Sequence, residues 1–416
     1  MHSGAVTSKS EINGVGRAAA LGLFLFLLSA HPAGAQAKGT PDAAPVIRGP
    51  LAVRDLGLVY ADGTPFRWRG ITAFALLDQV ADGRERDARA FLRWARARGF
   101  NVVRVLGMAH HLFRLTPSEG LKAIPRLLRL AAEADLYVEL VVFADTREYP
   151  ELSLTHHVDA VAAAIAGATN VVVELANEND HRTQVRKLID PALLVSLRAR
   201  FPAKLLLSLG SLHGPDDVTN RFPGGDYLTA HLYRGGEAWQ QVGRIPALAR
   251  MAASANRPVI NDEPIGAGER LEPGRRLVDP SAFFAIALLG RMAGIGTTFH
   301  CEDCLFARTP GPIQTACAEA FMDGSRLVPD ATEVALAPAA GGDGPLATEP
   351  VPGAAGVHVA SVSSGQWHLV VALGLGPGAA MPWRPGWSAT VLRERPGVRV
   401  YRARQLSTGP AVHVSR

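Results

Sequence analysis

The chain has 416 residues, 48% of them hydrophobic, so it is long enough to bury a large core and does not have the composition of a disordered protein. Its formal net charge is +5. The basic residues are scattered and do not form runs interleaved with aromatic side chains, which argues against a nucleic-acid partner.

The first 35 residues have the pattern of a secretory signal peptide. Lys9 and Arg17 provide a positive start, Ala18–Leu28 is a short apolar core, and Ala33-Gly34-Ala35 is a small-x-small cleavage site. The apolar run is shorter than the roughly 20 residues that span a bilayer, which weakens the alternative of a membrane anchor. We therefore expect a secreted protein, extracellular or periplasmic, with no membrane contact after cleavage near Ala35.

Residues 36–50 are a Pro/Ala/Gly-rich leader, and from Leu51 onward short β-branched runs alternate with amphipathic stretches. In the first stretch Ala88, Phe91, Leu92 and Ala95 recur at helical spacing. Further helices are predicted at about 120–134, 157–167, 189–201, 242–256, 280–293 and 313–325. The eight predicted strands are Phe66–Thr72, Asn101–Leu106, Leu136–Val142, Asn170–Ala176, Lys204–Ser208, Tyr227–His231, Pro258–Asn261 and Ile295–Phe299.

The regular alternation of strands and helices predicts parallel pairing with crossover helices. Eight such units match a (β/α)8 TIM barrel, which we place at residues 51–334. A doubly wound sheet is the alternative, but no Gly-rich phosphate-binding turn follows the first strand. The fifth unit is weak, because residues 211–226 are too polar and too rich in Gly and Pro for a good helix.

Three further segments are distinguished: a hairpin at the start of the barrel range, a linker after it and a C-terminal segment. Residues 58–66 read as a hairpin that turns at Asp62-Gly63. Residues 335–356 are rich in Ala, Pro and Gly and are interpreted as a linker. Residues 357–416 alternate apolar and polar side chains and predict a small C-terminal β domain, which at this size we expect to pack on the barrel.

The chain has three cysteines, Cys301, Cys304 and Cys317. In an exported protein this number favours one disulfide and one remaining thiol. The Cys301-x-x-Cys304 spacing also suggests zinc or redox chemistry, but a structural zinc site needs a second pair of ligands, and only His300 lies nearby. A structural role is the favoured interpretation.

Carboxylate residues stand at the C-terminal ends of two predicted strands. These strands face each other across the mouth of such a barrel, where the active sites of TIM barrels lie. Strand 4 ends in Asn177-Glu178 and strand 7 ends in Asp262-Glu263. Glycoside cleavage requires two carboxyl groups on opposite sides of one C–O bond, one to donate a proton and one to attack or to activate water. We expect the carboxyl groups of Glu178 and Glu263 to lie about 5–5.5 Å apart, the separation of retaining enzymes.

This arrangement resembles the clan A glycoside hydrolases, and glycoside hydrolase family 5 in particular, over roughly residues 51–325. The matching positions are Arg104 on strand 2, Asn177 and Glu178 after strand 4, His231 and Tyr233 after strand 6, and Glu263 after strand 7. The resemblance implies retaining hydrolysis of β-linked glycans without a metal or other cofactor. It assigns Glu178 as the acid/base and Glu263 as the nucleophile. It also implies that Asn177 contacts the sugar 2-hydroxyl, while Arg104 and Tyr233 support the nucleophile.

Two departures from the family concern the substrate. Where the family commonly has a Trp after strand 8, this chain has Phe299-His300, so Phe299 or His300 is expected to form the sugar platform. Trp68 is a further candidate for stacking against sugar. Strand 3 lacks the family's usual terminal His, and His110, His111, His156 and His157 in nearby loops are candidates to line the cleft, although a surface position is the commoner one. Aromatic residues make up only 6% of the chain, which favours a short oligo- or polysaccharide site.

Two other functions fit parts of the pattern. A metal-dependent barrel hydrolase would use His231, His300 and a carboxylate, but its usual His-x-His on strand 1 is replaced here by Ile71-Thr72-Ala73. A non-catalytic glycan-binding barrel would bind sugar without turnover, although the chain retains both glutamates.

Overall fold

The computed structural model describes residues 47–212, 222, 224–232, 242–245, 247–264, 279–328, 335–337, 358–364, 367–376 and 378–406. The predicted signal peptide and most of the predicted leader lie outside these ranges. Within them, none of the helices combines the length and the apolar character needed to cross a membrane.

A small antiparallel sheet precedes the barrel and covers its N-terminal end. It consists of β1 (Ala52–Arg54), β2 (Gly57–Val59) and β3 (Pro65–Phe66), paired in that order. Gly63, with φ +81°, makes the predicted Asp-Gly turn between β2 and β3. Phe66 and Leu58 pack on the side chains that close the bottom of the barrel, including Val102, Tyr137, Val172 and Ile260.

Eight parallel strands form the barrel, as the sequence predicts. They are β4 (Arg69–Thr72), β5 (Val102–Leu106), β6 (Tyr137–Phe143), β7 (Val171–Ala176), β8 (Leu207–Ser208), β9 (Leu228–His231), β10 (Val259–Glu263) and β11 (Gly296–Phe299). The hydrogen-bonded order is β8-β7-β6-β5-β4-β11-β10-β9. Successive strands therefore lie side by side, and the first strand of the barrel pairs with the last.

The barrel is nearly closed, with a seam between β8 and β9, which share no strand ladder. Asp226 bridges this seam: its backbone N–H donates to the Leu207 carbonyl at 2.8 Å, and its Oδ2 accepts from the Leu207 N–H at 3.0 Å. Higher up, the hydroxyls of Ser208 and Thr229 lie 3.0 Å apart. One backbone hydrogen bond and two side-chain contacts thus stand where a ladder would run.

Helices surround the barrel: α1 (Leu76–Ala81), α2 (Glu85–Arg98), α3 (Pro117–Glu133), α4 (Leu154–Ala164), α5 (Pro191–Arg198), α6 (Ala247–Ala255), α7 (Pro280–Met292), α8 (Glu302–Leu305) and α9 (Pro312–Leu327). The apolar stripe predicted for α2 is buried. A capping box between Thr116 and Glu119 starts α3, where Pro117 occupies a first-turn position that needs no N–H donor.

Side-chain alternation divides the barrel strands into two faces. Val103 and Val105 on β5 face the helices and belong to the main apolar core, whereas Arg104 lies between them on the inner face. The same alternation turns Glu139 and Glu174 inward on β6 and β7. The inside of this barrel is thus strongly polar, unlike the bulky apolar layers that usually fill one.

The C-terminal segment forms an antiparallel sheet of β12 (Ala335–Ala337), β13 (His358–Ser364), β14 (Trp367–Leu375), β15 (Trp387–Arg395) and β16 (Gly397–Gln405), in the order β12-β13-β14-β16-β15. This agrees with the predicted C-terminal β domain. Its first strand, β12, falls within the stretch interpreted as a linker. Residues 45–416 group into one compact unit.

Packing of this sheet against the barrel follows the alternation along β14. Leu369, Val371 and Leu373 join the main core beneath the barrel helices, while Val370 and Ala372 join a separate apolar cluster on the other face. At the edge, Asp323 of α9 accepts from both Arg393 and Arg395 at 2.9 Å.

Candidate active site

Arg104 on β5 contacts two residues that the sequence predicts to act with it, Glu263 and Asn177. Its guanidinium is fully buried and donates to Glu263 Oε1 at 2.9 Å and to Asn177 Oδ1 at 2.8 Å. It also donates twice to Glu174 Oε2, from Nε at 3.0 Å and from Nη2 at 2.6 Å. The ends of β5, β7 and β10 therefore converge on one guanidinium.

Glu263 owes its direction to an irregularity in β10. Asn261 pairs with Ala230 of β9 and Glu263 pairs with His231, so Asp262 is an extra residue, as in a β-bulge. In a regular strand Asp262 and Glu263 would point to opposite faces. Here both approach Arg104, with Asp262 Oδ2 at 3.8 Å from Nε and Glu263 Oε1 at 2.9 Å from Nη1. The bulge thus turns two consecutive carboxyl groups into the barrel.

Glu178 follows β7 in a left-handed backbone conformation, with φ +46°. Its N–H donates to the Ser211 hydroxyl at 3.1 Å, and its carbonyl accepts from the N–H of His181 at 2.8 Å. The carboxyl group lies beside His231, whose Nδ1 is 3.2 Å from Glu178 Oε1. One carboxyl oxygen of Glu178 lies within 4.8 Å of one of Glu263.

His231 lies between the two glutamates and is almost fully buried. Its Nε2 is 3.8 Å from Glu263 Oε1, opposite the ring nitrogen that contacts Glu178. Burial by itself lowers the pKa of His231, but the Glu263 carboxylate and the hydrogen bond with Glu178 outweigh it and raise that pKa above its ordinary value. His231, which contacts Glu178, therefore holds a proton more readily than an ordinary histidine does.

His300, one of the two candidates for the strand-8 platform, lies at the site. Its Nε2 is 4.0 Å from Glu263 Oε2, and its Nδ1 is 2.9 Å from the Thr72 hydroxyl. It follows β11 directly and precedes Cys301, which forms a disulfide with Cys304. Cys317 is a buried free thiol. One disulfide with one thiol remaining agrees with the interpretation from cysteine number.

Arg104 is surrounded by four buried carboxyl groups, those of Glu139, Glu174, Asp262 and Glu263. Burial opposes the charged form of Arg104, but these carboxylates raise its pKa well above the ordinary value. Burial and the charge of Glu174 raise the pKa of Glu139. Burial and the charge of Glu139 likewise raise the pKa of Asp262. The cluster thus combines a permanent cation with carboxyl groups that cannot all be ionised.

The site opens into a cavity of about 300 Å³ that contains Asn177, Glu178, Glu263 and His300. Its lining combines apolar side chains, those of Phe74, Leu106, Leu112, Ala144 and Leu305, with polar ones, those of His111, Asp145, His181, Arg182, Thr183 and Gln184. Asp145 at the end of β6 accepts from the N–H groups of His110 and His111 and so fixes that loop beside the cleft. Glu174 and Asp145 were not among the predicted site residues. A charged residue within the apolar run Val171–Ala176 was the signal that could have identified Glu174.

Two residues that were predicted to contact the sugar lie away from the cavity, and a third lies outside the described residues. Trp68 precedes β4 and packs at the bottom of the barrel, where its Nε1 donates to Thr298. Phe299 faces the helices and packs on Phe283 and Phe321. Neither ring lines the cavity, because one precedes its strand and the other has the wrong alternation. Tyr233 lies outside the described residues.

The histidine pairs divide between surface and interior. His111 lines the cavity and His156 is exposed, whereas His157 is buried against Phe143. Burial lowers the pKa of His157 to about 4, so it is neutral in the core.

Two sets of described residues have the types and spacing that a metal ion accepts: Glu174, His231 and Asp262, and Glu178, His231 and Glu263. Arg104 lies against both sets, with Nη2 at 3.4 Å from His231 and hydrogen bonds to Glu174 and Glu263. A permanent cation at this position repels a second one and already uses the carboxylate oxygens. The geometry therefore fits carboxylate chemistry better than a metal centre.

No protein-family model and no curated protein matches this chain. Solved structures do match it in fold. A protein described as a glycoside hydrolase has a TM-score of 0.60 at 15% identity, covering 88% of this chain and 99% of its own. A glycoside hydrolase family 5 protein from Bacteroides vulgatus ATCC 8482 has a TM-score of 0.58 at 15% identity, covering 87% and 94%. A β-glucanase from Saccharophagus degradans, solved with cellotetraose, has a TM-score of 0.50 at 15% identity, covering 67% and 94%.

Proposed function

We propose that this chain, which has the fold of the family 5 glycoside hydrolases, is an exported retaining glycoside hydrolase acting on β-linked glycans. The observation that carries the proposal is the pair of buried glutamates at the ends of facing strands, within 4.8 Å of each other and held by different partners. Arg104 donates to Glu263, whereas His231 contacts Glu178. Two carboxyl groups in different surroundings are what acid/base and nucleophile roles require.

In the first step Glu263 attacks the anomeric carbon and the glycosidic C–O bond breaks. Glu178 gives its proton to the departing oxygen, so the leaving sugar is released as a neutral alcohol. The hydrogen bond from Arg104 keeps a Glu263 oxygen ionised and directed at the site. The result is a glycosyl ester on Glu263 and an ionised Glu178.

In the second step the ionised Glu178 takes a proton from water. The water oxygen attacks the anomeric carbon from the side that the leaving group vacated, and the bond to Glu263 breaks. Two inversions give net retention. The close approach of the two carboxyl groups supports this mechanism, because inverting enzymes need about 6.5–9.5 Å to fit a water molecule between them.

The cavity supports a short oligosaccharide, or the end of a longer chain, as the substrate. Its volume of about 300 Å³ and its polar lining residues support recognition by hydrogen bonds, to which Asn177 and His300 would contribute. Among the described residues that line it, the aromatic ring is that of Phe74, which lies under the Arg104 guanidinium. Export follows from the signal-like N-terminus.

The test begins with a screen of aryl β-glycosides and plant and microbial polysaccharides. On the substrate found, we expect Glu263→Ala to abolish retaining turnover whatever the leaving group. Glu178→Ala should lower kcat/KM by about 10²–10⁴-fold on substrates with poor leaving groups, because general acid catalysis contributes about this much. With an activated aryl glycoside, azide should restore turnover of Glu178→Ala and give a glycosyl azide of retained configuration.

Glu151→Ala, an exposed carboxylate outside the site, serves as the control and should match the unmodified enzyme. A chelator should leave turnover unchanged. Azide rescue of Glu263→Ala with an inverted product would exchange the two roles. Glycan binding without turnover would instead favour the non-catalytic alternative.

A further inference from the structure

Beneath the two glutamates lies a pair of acids, Glu139 and Asp262, to which the proposed mechanism gives no role. Both side chains are fully buried inside the barrel, a place normally filled by apolar residues. Glu139 comes from β6, where it pairs in register with Arg104 of β5. Asp262 comes from the bulge in β10 that also directs Glu263. Burying two carboxyl groups costs free energy unless nearby groups or a bound proton compensate their charge.

The contacts of the pair are specific. Glu139 Oε2 and Asp262 Oδ2 each lie 3.8 Å from Arg104 Nε, and neither oxygen has a hydrogen-bond partner among the described residues. The other oxygens have separate partners: the Tyr227 hydroxyl is 2.9 Å from Glu139 Oε1, and the Thr298 hydroxyl is 3.3 Å from Asp262 Oδ1. Both acids therefore have fixed orientations.

A hydrogen bond between two carboxyl groups requires one proton, because an ionised carboxylate only accepts. With that proton in place, Oε2 of Glu139 and Oδ2 of Asp262, which otherwise have no hydrogen-bond donor among the described residues, satisfy each other. Charge gives the same answer. Full ionisation of Glu139, Glu174, Asp262 and Glu263 around Arg104 would leave three uncompensated negative charges in the interior.

We propose that Glu139 and Asp262 share a single proton and form a positioning pair with one negative charge, which holds the Arg104 guanidinium in the plane where it reaches Glu263 and Asn177. The groups that face the pair are Arg104 from β5, Glu174 from β7, Tyr227 before β9, His231 in β9, Glu263 in β10 and Thr298 from β11. The raised pKa of both acids agrees with a shared proton.

The first test measures the proton directly and needs no substrate. Infrared spectra of the purified protein at neutral pH should show the C=O stretch of a buried protonated carboxylic acid. Because Glu178 also carries a proton in the proposed mechanism, the variants are compared in the Glu178→Gln background, where Glu139→Gln and Asp262→Asn should each abolish the band, since the remaining acid then ionises and accepts from the new amide. A Glu178→Gln spectrum without such a band, or a band that persists in both variants made in that background, would overturn the proposal.

The second test rests on the proposed glycosidase function and uses the pH dependence of kcat/KM. Each single substitution replaces a neutral acid by a neutral amide and keeps one negative charge, so both limbs of the profile should stay in place. The double variant Glu139→Gln/Asp262→Asn removes that charge and should move both limbs about one pH unit lower, because less negative charge favours ionisation of nearby carboxyl groups.

Glu174→Gln provides the comparison, since Glu174 makes two hydrogen bonds to the guanidinium and should shift the limbs as a single variant. A shift in Glu139→Gln or Asp262→Asn alone would mean two ionised acids and would refute the shared proton. Loss of activity at every pH, with the limbs unmoved in the double variant, would reduce the pair to a structural role. Because the infrared result does not depend on turnover, failure of the glycosidase proposal would be recognised separately.

Discussion

Glu178, the proposed acid/base, has a backbone conformation that is unfavourable for a residue with a side chain. Its φ of +46° is a conformation that costs a residue with a Cβ about 1–2 kcal/mol, and it is retained next to Ser211 and His231. We expect Glu178→Gly to be more stable than Glu178→Ala by about 1 kcal/mol in urea unfolding, with both variants inactive on poor leaving groups. At ordinary positions inside helices and strands this order is reversed. Equal stabilities would show that the backbone relaxes once the side chain is removed.

The residues best predicted from the sequence are those whose position depends only on where a strand ends. Glu178 lies two residues after β7 and Glu263 is the last residue of β10, and the barrel fold brings such strand ends together. Phe299 was misplaced because the choice between it and His300 depends on strand phase, which a four-residue strand does not reveal. The inward direction of Glu263 was beyond prediction, since it depends on a bulge whose pairing partner lies on another strand.

Helices α7 and α9 approach closely at Gly324, where a Cβ atom would lie 2.2 Å from the carbonyl oxygen of Phe284. Helix propensity alone predicts that Gly324→Ala stabilises the protein by about 1 kcal/mol. We expect the close contact to dominate and the free energy of unfolding to fall by about 1–3 kcal/mol, because the clash is with backbone and the helices must separate.

Gly376→Ala is the control, because a Cβ atom there meets nothing within 4 Å. Denaturant unfolding of both variants measures the difference. A Gly324→Ala protein as stable as the unmodified chain would mean that α7 and α9 have room to move apart.

The predicted barrel strands and the hairpin are present. They could be predicted because periodicity and turn residues are local signals in the sequence. Two strands escaped prediction. β1 pairs only with β2 and is exposed along its length, so it has no apolar alternation to detect. β12 lies in an Ala/Pro-rich stretch and is a strand because β13 pairs with it. In both cases the partner, and not the local sequence, determines the structure.

The molecule as a whole should unfold as one unit, because the C-terminal sheet and the barrel share a core. Leu373 of β14 is buried within that core, whereas Leu392 of β15 is 41% exposed. We expect Leu373→Ala to lower the stability of the entire molecule by about 2–5 kcal/mol in a single transition. Leu392→Ala should change it by no more than about 0.5 kcal/mol.

Calorimetry distinguishes the outcomes. Two separate transitions in Leu373→Ala, with the larger one unchanged, would show that the sheet is a domain that folds independently of the barrel. Deletion of residues 357–416 should likewise lower the melting temperature of the barrel.

Among the described residues, β8 and β9 are joined at the seam by the Asp226 bridge and the Ser208–Thr229 contact and not by a strand ladder. Closed barrels have a fixed circumference, since any expansion breaks a strand ladder. Here the circumference can change at the seam at the expense of the Asp226 bridge and the Ser208–Thr229 contact. β9 forms one side of that seam and carries His231, whereas Glu178 follows β7 on the other side. We therefore expect any widening of the barrel at the seam to lengthen the contact between Glu178 and His231 first.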